Sequence, residues 1–256
     1  MFGERSIQLV RVAGIRIGAS PSWFLVLGVV IYLLSGQFSD ALGGTETEGF
    51  IVAIVAAVLF FGSIVLHELG HAFEARRSGI EVKGIDLWLF GGLAKLSRDS
   101  ESPGEEFRVA AAGPAVTLIL FGISYVIAAV AYGASDVLDV IRLQANTADA
   151  VELLVSWFAF MNLALFVFNL VPAFPLDGGR LARAAIWKLT NDRTKGTVAA
   201  ARLGQGFGYA MIAFGAYVLL ATEDQFGGVW WIVLGWLIAG SAKSAAVSAR
   251  VTDRLE

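Results

Sequence analysis

Cysteine is absent from this 256-residue chain, and histidine occurs only twice. Without thiols there is no disulfide framework, no thiolate-bound zinc or iron–sulfur cluster, and no cysteine nucleophile. Charge is scarce as well: 16% of the residues are Asp, Glu, Lys or Arg, against about 25% in an ordinary soluble domain. A formal net charge of −3 offers no basic field for a nucleic-acid partner. With only five prolines there is no Pro-rich linker, and the chain shows no internal repeat or low-complexity tract. What fills the chain instead is apolar: 57% of the residues, with a mean hydropathy of +0.70. That balance excludes a disordered chain or a fibrous repeat and points to a membrane protein.

A helix that crosses a bilayer needs about 20 mostly apolar residues. Six segments qualify, near Pro21–Phe38, Gly49–Ala75, Phe107–Tyr132, Ala150–Val171, Gln205–Thr222 and Gly228–Val247. Arg5, Arg11 and Arg16 precede the first, as in a signal peptide, but the flank is long and no small-x-small cleavage site follows. Loop charge tests the count independently, because Lys and Arg accumulate in cytoplasmic loops. With six spans, 18 of the 19 basic residues fall on one side and only Arg142 on the other. The reading is an all-α polytopic membrane protein with six transmembrane helices, both termini cytoplasmic, in the cell (inner) membrane.

Two stretches on the basic side carry a strand-like period. Residues Ser6–Ile17 alternate apolar and polar side chains around Gly14, and Gly79–Leu96 is rich in β-branched and aromatic residues with a break at Gly91-Gly92. A small membrane-associated hairpin or sheet is expected there. Its backbone must be covered by protein or line a wet cavity, since unpaired N–H and C=O groups cannot face lipid.

Both histidines fall in one pentapeptide, His67-Glu68-Leu69-Gly70-His71, inside the second apolar segment. Residues four apart share a helix face, about 6 Å apart along the axis, so two imidazoles can grip one metal ion. Glu68 lies beside them, placed to act on water rather than to ligate. This is the H-E-x-x-H pattern of zinc hydrolases. Ionisable groups at membrane depth are costly and functional by default; the structural alternative is a hydrogen-bonded pair of core histidines.

Zinc needs a third protein ligand and an open position. With no cysteine and no further histidine, a carboxylate must supply it, and Asp177 is the best candidate. It follows Asn169, Pro172 and Pro175 at the end of the fourth apolar segment and precedes Gly178-Gly179. The prolines cannot continue a helix and the glycines allow unusual dihedrals, so the backbone can turn Asp177 toward a metal. The alternative is a helix end, a polar turn and a new helix capped by Asp177.

These residues resemble the site-2 protease family of intramembrane metalloproteases. HELGH at 67–71 and NLVPAFPLDGG at 169–179 carry the match, FGGLAKL at 90–96 is similar to that family's membrane-associated hairpin, and Ala112-Gly113-Pro114 is similar to a Gly-Pro motif on its third helix. The resemblance implies one zinc ion per chain held by His67, His71 and Asp177, with Glu68 as catalytic base and Asn169 near the substrate carbonyl or oxyanion. It implies an endopeptidase cutting within or near the transmembrane segment of another protein, such as the membrane-bound anti-sigma factors or signal-peptide remnants that bacterial relatives cut. The partners expected are thus a single-pass transmembrane substrate and membrane lipid, with no nucleic acid. Thr117 stands where some relatives carry Asn. No PDZ-like insertion is evident between the spans and no nucleotide-sensing domain follows Glu256, so residues 1–256 read as one transmembrane metalloprotease core, minimal or cut from a longer protein.

A substrate helix must unwind before its carbonyls can be attacked. The edge of the Lys83–Leu96 hairpin, at Gly91 and Gly92, can hold the unwound strand by β-strand addition; plain packing is the other role for it. Gly204, Gly206 and Gly208 permit either close helix packing or a mobile gate. Among competing functions, a transporter would spread polar groups over several helices or show an inverted repeat. A catalytically inactive relative would bind clients without cutting, yet Glu68 and all three proposed ligands are present. A different membrane zincin would take a glutamate as third ligand, with Glu74 or Glu152 nearest.

Overall fold

The computed structural model describes residues 6–88, 91–135, 137, 149–223 and 225–253; Arg5, Phe90, Arg142 and Arg254 lie outside the described residues. The described elements are strands β1 (Ile7–Val12), β2 (Ile15–Ala19), β3 (Val82–Trp88) and β4 (Gly91–Leu96). The helices are α1 (Pro21–Leu42), α2 (Glu46–Arg77), α3 (Pro103–Tyr132), α4 (Ala150–Asn169), α5 (Asp177–Thr190), α6 (Arg193–Ala221) and α7 (Gln225–Asp253).

Six of these helices are long and apolar enough to cross a membrane, all except α5. Many of their large apolar side chains stay outside the core, up to 82% exposure at Val130 and 87% at Leu220, which suits lipid as the surrounding solvent. Helix ends follow capping chemistry more closely than hydropathy. The fifth span starts at Arg193, ahead of the expected Gln205, because the Asp192 carboxylate caps it by accepting from the Lys195 N–H at 2.9 Å. The fourth stops at Asn169, short of the expected Val171, as Pro172 disfavours helix before it.

Helix α2 is the longest. Thr45 opens it with a capping box: its hydroxyl accepts from Glu48 N–H at 3.2 Å and the Glu48 carboxylate accepts from Thr45 N–H at 3.0 Å. Glu46 and Glu48 lie in its first turn and Arg76 and Arg77 in its last, so both ends complement the helix dipole.

The two strand-like stretches form one four-stranded sheet, ordered β1-β2-β3-β4. Ala13 and Gly14, both at positive φ (48° and 79°), make the two-residue turn between β1 and β2. β2 and β3 pair in parallel, Ile17 opposite Ile85, and β3 and β4 pair antiparallel. Asp86 on β3 accepts from Ser6 at 2.7 Å and Arg16 at 2.9 Å, and pairs with Lys95. Burial works against its charge, but Lys95, Ser6 and Arg16 outweigh that and hold its carboxyl below the ordinary range.

The chain divides into two compact units, Met1–Asp99 with Ala112–Phe166, and Ser100–Ala111 with Val167–Glu256. In the first, Ala19, Trp23, Phe61 and Leu87 form a buried cluster that seats the sheet on α1 and α2, helped by the Ser20 N–H donating to Leu87 C=O at 2.8 Å. Arg76, at the end of α2, donates to the Ala13 carbonyl at 2.6 Å and ties down the β1–β2 turn. A second cluster of Phe38, Val52, Ala53, Ala56 and Leu153 joins α1, α2 and α4. In the second unit, α6 and α7 pack backbone to backbone. A Cβ on Gly208 would stand 2.6 Å from the Gly235 carbonyl, and one on Gly215 2.6 Å from that of Gly228. Gly204 and Gly208 thus serve close packing, whereas Gly206 has nothing within 4 Å.

Candidate metal centre

His67 and His71 are both buried on one face of α2, with their Nε2 atoms 3.1 Å apart and their rings crossed at 81°. Two nitrogens bound at about 2.0–2.1 Å to a tetrahedral zinc ion stand about 3.3 Å apart, so the pair has the spacing of a shared ligand set. His67, His71 and Asp177, all three buried, are the candidate metal-binding residues among the described residues. Two imidazoles and one carboxylate suit zinc and leave a fourth position for water or substrate. Glu74 and Glu152 belong to no such group among the described residues.

The space beside the histidines is made by glycine. A Cβ on Gly113 of α3 would stand 2.2 Å from His71 Nε2 and 2.7 Å from His67 Nε2, filling the room that an ion between these donors needs. The cradle therefore fits a metal and fits no side chain at position 113. Gly70, inside the histidine motif, gives α3 this approach: a Cβ there would stand 2.8 Å from the Ala112 carbonyl. Pro114 follows within the helix, and Thr117, fully buried, donates from its hydroxyl to the Pro114 carbonyl at 2.9 Å.

Glu68 is bordered by a different glycine. A Cβ on Gly92 of β4 would stand 2.3 Å from Glu68 Cγ and 3.0 Å from its Oε1. The sheet thus reaches the carboxylate beside the two histidines, and the absent side chain leaves it room. Gly91 is the first residue of the same strand, which is an outer strand of the sheet.

A new helix does begin at Asp177, as the local alternative expects, but Leu176 and not Asp177 takes the N-cap position; Asp177 is the first residue of α5 and one of the candidate metal-binding residues. A carboxylate in the first helical turn is favoured by the helix dipole. Gly178 and Gly179 bring that turn against the preceding chain: Cβ atoms there would lie 2.3 Å from the Leu170 carbonyl and 2.5 Å from Phe174 N. Asn169 sits half-buried at the last position of α4, at the other end of this non-helical connection.

Sequence reasoning did not reach three contacts. Gly70 lies in HELGH and Gly113 in the Gly-Pro motif, but without the packing neither pointed to the space beside the histidines. Glu106 carries no signal in the sequence that would single it out. In the structure Arg180 Nε donates to its Oε1 at 2.9 Å, and Arg183 donates to the same oxygen.

Comparison with known proteins adds four findings. The model of peptidase family M50 matches residues 55–214. A Synechocystis sp. relative whose name assigns it as a zinc metalloprotease (sll0528) is 39% identical over all of this chain and 63% of its own length. The zinc metalloprotease MJ0392 of Methanocaldococcus jannaschii is 33% identical over 82% of this chain and 54% of its own. The solved site-2 protease from Methanocaldococcus jannaschii superposes with a TM-score of 0.61 at 28% identity, over 94% of this chain and 95% of that one. The chain spans about three-fifths of the length of the curated relatives it matches most fully.

Proposed function

From a chain that belongs to peptidase family M50, a multi-pass integral membrane protein, we propose an intramembrane zinc endopeptidase that hydrolyses a peptide bond within or near the transmembrane segment of a membrane-protein substrate. The observation that carries this is a buried group of two histidines and one aspartate, with a glutamate beside the histidines, in a chain with six apolar helices.

His67, His71 and Asp177 would hold the ion. Bound there, zinc supplies Lewis-acid polarisation of the scissile carbonyl and lowers the pKa of water toward about 7. Glu68 takes the proton from the attacking water and returns it to the leaving amine. Its carboxylate has freedom to do so because Gly92 carries no side chain. Asn169 donates its amide N–H to the oxyanion as the carbonyl becomes tetrahedral, a contact worth about 10²–10³ in rate elsewhere.

The substrate is a single-pass transmembrane segment that unwinds locally, since an intact helix keeps its carbonyls in its own hydrogen bonds. Gly91 and Gly92 hold the unwound strand against the edge of β4 by main-chain pairing. Both termini face the cytoplasm and the protein resides in the cell membrane; the distribution of Lys and Arg supports this orientation. The test is metal analysis of purified protein together with cleavage of a model transmembrane substrate. One equivalent of zinc and cleavage by wild type are expected, with Glu68→Gln retaining zinc and losing cleavage. A fully active Glu68→Gln sinks the assignment.

A further inference from the structure

Glu106 is 1% exposed in the first turn of α3, and the chemistry above makes no use of it. Both of its cationic partners lie on α5, the helix that Asp177 begins: Arg180 three residues after Asp177, and Arg183 one turn further. The Arg183 guanidinium also lies over the Phe174 ring, 5.4 Å from its centroid. Phe174 belongs to the connection that delivers the chain to Asp177. Its backbone is gripped from two directions, since Cβ atoms on Gly179 and Gly204 would each fall 2.5 Å from it. Glu106, Arg180, Arg183 and Phe174 therefore form one cluster around the start of α5.

No side chain at the N-cap orients that start. Leu176 occupies the N-cap position and makes no side-chain cap hydrogen bond, so the direction of the first turn depends on tertiary contacts. We propose that Glu106 is a positioning residue: by holding Arg180 and Arg183 it sets the turn of α5 that presents the Asp177 carboxylate to the metal. This rests on the metal assignment above. Arg180 and Asp177 are three apart, neighbours on a helix surface. Without Glu106, Arg180 and Arg183 lose a shared buried counter-charge, and Arg180 is drawn more strongly to the carboxylate on its own turn. Asp177 is then pulled from the ion, and supporting residues of this kind typically contribute about 10–100-fold to metal affinity.

The test uses the full chain in detergent or nanodiscs, as wild type, Glu106→Gln and Glu106→Asp. Zinc affinity is read by chelator competition, ligand geometry by the visible spectrum of the cobalt(II)-substituted protein, and folding by thermal melting of the metal-free chain. Glu106→Gln is expected to weaken zinc about 10–100-fold and to shift the cobalt bands, with partial rescue by Glu106→Asp. If Glu106→Gln does not fold, Arg183→Lys gives the reading, because it keeps the charge but loses the planar contact with Phe174; the same shift is expected, smaller. A folded variant with a lower melting temperature but unchanged zinc affinity and cobalt spectrum overturns the proposal and leaves a purely structural ion pair. In that case wild type still binds one zinc, and the metal assignment stands. A wild-type chain that binds no zinc overturns both.

Discussion

Gly113 on α3 and Gly92 on β4 border the same turn of α2, yet they protect different atoms. The first leaves space beside the Nε2 atoms of His67 and His71; the second leaves space beside the Glu68 carboxylate. A ligand tolerates no displacement by a neighbouring methyl group, because metal–nitrogen bonds are set to about 0.2 Å. A general base tolerates slightly more, because it needs only to stay within hydrogen-bond reach of the proton it takes. Two residues of one type, bordering one helical turn from opposite elements, would thus separate the two halves of the proposed chemistry, holding the ion and moving the proton.

Substitutions can break or sharpen that contrast. The largest effect is expected from Gly113→Ala, whose methyl group displaces the donors: zinc content should fall close to zero and cleavage with it, as in His67→Ala. A Gly113→Ala protein with full zinc would refute the cradle. Glu68→Gln should come next, with cleavage down about 10²–10⁴-fold and one zinc per chain retained in metal analysis. Gly92→Ala is expected to be milder, about 10–10²-fold in kcat with zinc intact, because the carboxylate is misplaced rather than lost. Zinc loss in Gly92→Ala would show that the two glycines do not divide the labour.

The smallest effect belongs to the sheet that carries Gly92. Asp86 has a carboxyl held below its ordinary value of 3.8 in the folded chain. Its stabilisation is therefore complete above that value and fades as pH falls through the lower, folded one. Asp86→Asn should cost about 0.5–1 kcal/mol at pH 7, small because solvent screens the pairs. Melting curves taken from pH 7 to pH 3 should bring wild type down toward the variant below about pH 4. Parallel curves throughout would remove Asp86 from the sheet's support.

The fold was legible where its cause is local. The six apolar helices follow from hydropathy, and the facing histidines from four-residue spacing on a helix. Asp177 was reachable by elimination, because a chain with two histidines and no cysteine has only carboxylates left for a third ligand. Helix ends were less legible: Asp192 starts α6 well before the apolar run because a cap is a single side chain that hydropathy does not register. Strand-like patterning at Ser6–Ile17 and Gly79–Leu96 was visible, but not that the two join as one sheet through the parallel pairing of β2 and β3. That pairing links strands separated in the chain by α1 and α2.

Composition and short-range spacing decide that this chain enters a membrane, that its second helix bears a metal-binding face, and which residue types remain to complete it. Those properties depend on apolar area and on helix periodicity, both present in any short window of residues. Packing alone decides that Gly113 and Gly92 stand against His71 and Glu68, and that Glu106 meets Arg180 and Arg183. Each of these contacts joins residues far apart in the chain, and a glycine or a buried carboxylate acquires its role only from the atoms that the fold brings to it.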